Sequence, residues 1–510
     1  MARFHSSCLG KQLVPGAAVM ALVMALLLCL PGSLQAVDFR VKGVWQMAFQ
    51  YSNVTPKGVD GADRFGALQR FRTQIDAVAS ENLSGSVTFE IGDVEWGKSA
   101  SGGALGADGK IVELRYAYLD WMVPNTDVKV RMGLQHLRLP GILSRWGFGA
   151  VFGHDMAGIN VSSPIYKSDD LNIDATFFWA RPYNDNSQAL FQDDNTQHLD
   201  NLDVFALSVP IRGDRFRVNP WAMYAMIGKY SLTNLTASPE PAQVVPRGGL
   251  MPVMGGYYAD FQSNYVKGLS KPWGDGFWAG LCAEFFLTDS FKIGIEGAYG
   301  SVDMGEVKHY KGFGGDRTFQ AKRSGWYIGA RADWKLDWGT PGIIAWYGPG
   351  DDSNPYNGSE RLPSFNTPWG VTALGFGGGD MDSVTWKVLG HNPSGMVGVV
   401  GQIDDISFIE DLTHVIRFGY YWGTNSKEMP RKAKMTTWPS RQDGPAAYLT
   451  TTDSAWEANL VNRYKIYENL ELGLELAYVR LNLDGDTWHE AADSQLKDNY
   501  RVSCCFTYSF

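Results

Sequence analysis

What this chain lacks narrows its function before what it contains is considered. Five cysteines occur in 510 residues, and two of them, Cys8 and Cys29, fall in the first thirty. Of the remainder, Cys504 and Cys505 are adjacent and alternate across a strand, and Cys282 stands alone, so no disulfide framework is encoded. The eight histidines are scattered singly, with no pair at metal-ligand spacing. The glycine-rich stretches at 312–316 (GFGGD) and 375–380 (GFGGGD) lack the Lys-Ser/Thr of a phosphate cradle, and read as flexible loop glycines. No local grouping of a nucleophile with a base stands out. These absences argue against an enzyme and against any cofactor or metal. Charged residues are 19% of the chain and the net charge is −9, which excludes the basic footprint that nucleic acid requires.

Long apolar runs are missing too, with one exception at the N-terminus. Residues 17–30 form an apolar run of about 14, preceded by Arg3 and Lys11 and followed by Pro31, Gly32 and Ser33. A helical span needs roughly 20 residues, so this segment reads as a signal peptide over 1–36, cleaved after Ala36. Cys29 does not make it a lipoprotein signal, because Leu28 stands where a small residue is needed. Nothing beyond residue 36 could form a transmembrane helix, and no 3.6-residue period is sustained.

Aromatic residues and glycine are abundant: 18 Trp, 23 Tyr, 26 Phe and 58 Gly. The load is high for a soluble enzyme and is what aromatic girdles at two membrane interfaces would use. The dominant pattern is strict alternation. In the last eleven residues, Tyr500, Val502, Cys504, Phe506, Tyr508 and Phe510 share one face, and Arg501, Ser503, Cys505, Thr507 and Ser509 the other. Similar alternation runs through Leu470–Tyr478, Val128–Gln135, Arg70–Ala77, Arg215–Met226 and Leu171–Trp179. Short turns at 80–84, 124–126, 167–170, 212–214, 287–290, 338–341, 410–412 and 467–469 separate these runs from long Gly-, Pro- and Asp-rich stretches at 137–156, 181–202, 229–275, 302–322, 348–394 and 424–452. Soluble domains rarely carry so many long loops, whereas a membrane barrel has short turns at one end and long loops at the other. The sequence therefore predicts an all-β, transmembrane antiparallel β-barrel of 16–18 strands over residues 37–510, with short periplasmic turns and long external loops. The terminal strand, with Tyr508 and Phe510 as assembly residues, is expected to close the ring against Val41, Trp45, Met47 and Phe49.

The segments VELRYAYLDWMVPNTDVKVRMGLQ (112–135), DVFALSVPIRGDRFRVNPWAMYA (203–225) and ENLELGLELAYV (468–479), with the terminal Phe510, resemble the outer-membrane homotrimeric porins of Gram-negative bacteria. The resemblance implies a homotrimer in outer-membrane lipid and lipopolysaccharide, insertion by the barrel-assembly machinery through the C-terminal strand, and a third external loop folded into the pore. General porins of that family have 16 strands, and a count of 18 leans toward substrate-selective relatives.

Selectivity in such a pore comes from charge at its narrowest part. By parity Arg70, Arg72, Arg115, Lys129 and Arg131 lie on the inner wall, and Arg138, Arg145, His154 and Asp155 lie in the stretch 137–156, the candidate constriction. Two readings stand open: these cations set up a transverse field that orients polar solutes, or they solvate the lumen and pair with Asp76, Glu90 and Glu113. Acids of the outer loops, Asp185, Asp193, Asp194, Asp351 and Asp352, are either solvated or a place for divalent cations. The expected function is passive diffusion of ions and small hydrophilic solutes through a water-filled channel. A substrate-selective channel and a non-conducting structural or adhesive barrel are the alternatives.

Overall fold

The computed structural model describes residues 37–54, 63–106, 109, 112–184, 201–232, 249–250, 269–310, 317–365, 367, 369–379, 387–432 and 445–510. The signal-peptide segment with its cleavage site, residues 312–316, and Asp185, Asp193 and Asp194 lie outside the described residues.

Alternating sequence becomes strand throughout. The strands are β1 (Asp38–Ser52), β2 (Arg64–Ser80), β3 (Leu83–Glu95), β4 (Glu113–Met122), β5 (Lys129–Pro140), β6 (Phe148–Lys167), β7 (Leu171–Asn184), β8 (Asn201–Ser208), β9 (Ile211–Gly213) and β10 (Phe216–Gly228). They continue with β11 (Trp273–Phe286), β12 (Phe291–Tyr310), β13 (Arg317–Trp334), β14 (Thr340–Tyr347), β15 (Met396–Ile409), β16 (Leu412–Gly423), β17 (Ser454–Tyr467), β18 (Leu470–Asn482) and β19 (Asp498–Ser509). Each pairs antiparallel with its chain neighbours, and β1 pairs with β19, which closes the sheet. Both β8 and β9 lie between β7 and β10, so they share one position and the wall has 18. Pro210 interrupts them because it has no N–H to give the ladder. The gap is bridged by Val209 N–H to Pro220 O at 3.0 Å and by Asp174 N–H to Pro210 O at 3.0 Å.

The closing seam uses three of the four expected β1 residues. Trp45 faces Tyr508, Met47 faces Phe506 and Phe49 faces Cys504. Gly43 N–H donates to Phe510 O at 2.8 Å, and Phe510 N–H returns to Gly43 O at 3.1 Å. Val41 lies beyond the seam, paired with Ile75 of β2. The Phe510 ring stacks on Phe71, with centroids 6.0 Å apart. A Cβ on Gly43 would lie 2.5 Å from Phe510 Cζ, so only glycine admits the ring.

Period-two alternation sorts the residues between two solvents. Phe65, Leu119, Phe177, Phe277, Ile328, Phe418 and Leu474 are exposed on the outside, on strands all round the wall. A belt of that extent is unsupportable in water and suits hydrocarbon. Inward neighbours are polar or packed: in β19, Arg501, Ser503 and Cys505 are buried while Val502 is exposed. All eight short turns join neighbouring strands at one end of the barrel. This is a closed transmembrane antiparallel barrel.

The long stretches differ from expectation in three places. Residues 137–156 are mainly the ends of β5 and β6, leaving a loop of only 141–147. Residues 302–322 are largely β12 and β13, which continue beyond the neighbouring strands. Third, much of 348–394 is not external. Leu362, Phe365, Trp369, Leu374 and Phe376 are buried against inward side chains of the wall, including Trp278, Trp346 and Tyr421. Trp369 meets Trp346 edge to face at 4.8 Å, and Trp278 Nε1 donates to Pro363 O at 2.9 Å. Part of the barrel interior is therefore a packed apolar core, reached by a loop whose glycines and aromatics read locally as surface loop.

Candidate functional site: the barrel interior

The interior charges of β2 to β6 form a paired network. Arg70 holds Asp93 through Nε (2.8 Å) and Nη2 (2.9 Å), a two-pronged geometry that fixes both side chains. Glu90 Oε2 receives Arg72 Nε at 2.7 Å and Arg115 Nη1 at 2.8 Å. Arg115 reaches on to Asp155 at 2.9 Å, which also meets His136 Nδ1 at 2.7 Å and accepts from Tyr116 OH at 3.0 Å. Arg131 and Lys129 converge on Asp120 at 2.6 and 3.2 Å, with the Arg131 guanidinium 4.0 Å from the Tyr118 ring. The five wall cations thus lie along one side of the interior, each beside a carboxylate. Of the acids named from sequence, Glu90 takes Arg72 and Arg115, whereas Asp76 takes Lys42 at 3.4 Å. Glu113 faces Glu90 across the ladder.

The β5–β6 tip crosses the interior. Ile142 and Leu143 N–H donate to Glu296 Oε2 of β12 at 2.5 and 3.0 Å, and Cys282 Sγ of β11 lies 3.3 Å from Pro140 O. Arg145 N–H reaches Gly370 O at 3.4 Å, and its Nη1 donates to Gly378 O at 2.7 Å. Arg145 therefore ties one inward segment to the other. His154, on β6, is half-buried, with Nε2 2.7 Å from Phe365 O. Arg138 donates to Trp146 O at 3.3 Å and borders a cavity of about 360 Å³ that it shares with Thr176, Arg212, Arg217, Asn219 and Glu284.

The 348–395 segment is anchored all round. His154 holds it from β6, Trp278 from β11, and Arg323 of β13 donates to Leu362 O at 2.9 Å. From β17, Glu457 accepts Leu374 N–H at 2.9 Å, Gly375 N–H at 3.1 Å and Thr372 Oγ1 at 2.6 Å. From β19, Arg501 donates to Ala373 O at 3.3 Å and pairs with buried Glu475. Within the segment Asp351 is buried and accepts from Ser359 and Tyr448, which is not the surface acid the sequence suggested. Burial pushes the Tyr448 hydroxyl well up. Burial, with Asp351 and Asp352 nearby, also holds the Glu360 carboxyl above its ordinary range.

Sequence reasoning missed Glu296 and Glu457, and the second charge group on the far wall. There Lys292 meets Glu284 at 3.2 Å, Arg331 meets Asp333 at 2.6 Å, and Arg417 meets Asp404 at 3.0 Å. Parity places all of them inward, but parity does not tell an acid that meets water from one that holds a loop.

No family model and no curated protein sequence matches the chain. It is similar to solved barrels. OpdL of Pseudomonas aeruginosa is 11% identical over 93% of this chain and 99% of that one, with a TM-score of 0.49. OccAB2 of Acinetobacter baumannii is 10% identical over 94% and 99%, with a TM-score of 0.48. The outer membrane protein OprD from Pseudomonas aeruginosa is 12% identical over 92% and 94%, with a TM-score of 0.46.

Proposed function

We propose that this protein is an outer-membrane channel for passive diffusion of ions and small hydrophilic solutes, and not an enzyme. The observation that carries the reading is the division of solvents: a closed 18-position wall with an apolar exterior and an interior lined by paired charges. Lipid meets the first face, and water and solute meet the second. The path is what the two inward segments leave open, so it is narrower than the bare barrel. Arg70, Arg72, Arg115, Lys129 and Arg131 line it on one side, Asp155 lies among them, and Arg138 and Arg145 sit where the tip crosses. We assign the chain a homotrimeric state in lipid and lipopolysaccharide, with insertion by the barrel-assembly machinery through Tyr508 and Phe510.

Liposome swelling with a graded series of sugars tests the channel. Swelling with a size cutoff supports it. A folded protein giving no swelling and no bilayer conductance sinks it in favour of a structural surface barrel. The cavity beside Arg138 favours a second reading, a substrate-selective channel, because three arginines and Glu284 border a volume fit for a small polar solute. That reading requires saturable block of conductance by the ligand.

A further inference from the structure

Two wall carboxylates hold the inward segments from different sides of the ring. Glu296 is 1% exposed on β12 and takes two consecutive backbone N–H groups of the β5–β6 tip, Ile142 and Leu143, on one oxygen. Its other oxygen accepts the Tyr327 hydroxyl. Glu457 is 1% exposed on β17 and takes the N–H groups of Leu374 and Gly375, with the Thr372 hydroxyl. Tyr421 OH at 3.2 Å and Asn459 Nδ2 at 2.8 Å complete its shell. The arrangement repeats: a buried carboxylate, a pair of successive backbone donors from a crossing segment, and a wall tyrosine. The donors described around each are neutral.

A carboxylate on neutral donors makes charge-assisted bonds, and removing it strands two backbone N–H groups in a buried setting. The donors belong to segments that rest besides on apolar packing, on carbonyl contacts and, for the second, on Asn459 Oδ1, which accepts the Ala373 N–H at 3.0 Å. Arg145 couples the segments, because it bonds to Gly370 and Gly378 of the second while standing in the first.

We propose that Glu296 and Glu457 are positioning residues that latch the two crossing segments across the lumen, so that channel width is set by these two side chains and not by barrel diameter. The inference rests on the channel reading. Glutamine keeps one accepting oxygen for the backbone N–H pair, and its amide can face a hydroxyl, which accepts as well as donates. Alanine keeps neither. Removing a latch therefore widens the path, whereas the glutamine variants remain close to the native width.

Single-channel recording in planar bilayers tests this, with unheated gel mobility reporting the folded barrel. Glu296→Ala and Glu457→Ala should raise conductance about twofold or more and add current fluctuations, with Glu296→Gln and Glu457→Gln near wild type. Folded alanine variants with wild-type conductance would overturn the latch. If the alanine variants fail to fold, Gly375→Ala carries the test, because its Cβ would lie 2.4 Å from Glu457 Oε2 and disturb the latch from the loop side. Raised conductance there supports the proposal, and unchanged conductance overturns it. If the wild type itself does not conduct, the channel reading fails separately. Trypsin cleavage after Arg361 or Lys387 then reads the segment directly: faster cutting in Glu457→Ala supports the latch, and equal rates reject it.

Discussion

At the scale of single residues, barrel closure depends on a glycine meeting an aromatic. Gly43 gives the Phe510 ring room to lie over β1 and reach Phe71. Gly43→Leu would overpack this point and should cost about 2 kcal/mol. Phe510→Ala loses two ring stacks, with Phe71 and Tyr508, ~1 kcal/mol, but keeps the backbone pair with Gly43. The expected order of folded fraction on unheated gels is wild type, Phe510→Ala, then Gly43→Leu. Unchanged conductance in the folded part of each would place the seam apart from the path, and equal folding of all three would refute the close-approach argument. Inside the barrel, Glu90 shares one oxygen between Arg72 and Arg115. Glu90→Gln therefore takes the charge partner from Arg72, while Arg115 keeps Asp155, and should raise the anion-to-cation permeability ratio about twofold, a difference of ~0.4 kcal/mol. Reversal potentials under a salt gradient measure it, and a shift toward cations would contradict the pairing.

At the scale of elements, strands were far more legible than loops. Leu470–Tyr478 and Tyr500–Phe510 declare both faces by alternation, because a strand's outward residues answer only to lipid. The eight turns were equally plain, since a hairpin turn is a local event. The stretch 348–394 was not, because its destination depends on Glu457, Arg323 and Trp278, each on a different strand. Among the paired arginines, Glu90 could be named as a partner from sequence, but Asp93 as the partner of Arg70 follows only from register and rotamer. Glu360 gives this segment a dependence on pH. Burial and the charges of Asp351 and Asp352 raise its pKa, while the Asp352 N–H at 3.0 Å acts in the opposite sense. A carboxyl raised on folding contributes fully below its ordinary pKa of about 4.3 and loses that contribution as pH rises through the raised value. The segment should thus be held most firmly in acid and loosen toward neutrality. Glu360→Gln mimics the protonated form, so conductance measured from about pH 4 to about pH 7 should lose that part of its pH dependence. An identical profile in the variant would assign the dependence elsewhere.

At the scale of the whole molecule, the interior charge balance bears on selectivity more than the net charge of −9 does. On the β1–β6 side, Lys42, Arg70, Arg72, Arg115, Lys129 and Arg131 lie among Asp76, Glu90, Asp93, Asp120 and Asp155. On the far wall, Lys292, Arg331 and Arg417 interleave with Glu284, Asp333 and Asp404. The two sides are each close to neutral, so the transverse field expected from a bare basic patch is largely cancelled within the wall. A solute at the centre meets pairs whose members lie about 3 Å apart, well inside a Debye length of about 10 Å at 0.1 M salt. Their fields fall off as dipoles, not as charges. The channel should therefore discriminate by size more than by sign. In a tenfold potassium chloride gradient an ideally selective pore gives about 59 mV, and this one should give less than about 15 mV of either polarity. A reversal potential near the ideal limit would mean that unpaired charge controls the path. In that case Arg138, which donates to the Trp146 carbonyl and borders the cavity beside Glu284, is where that charge would act.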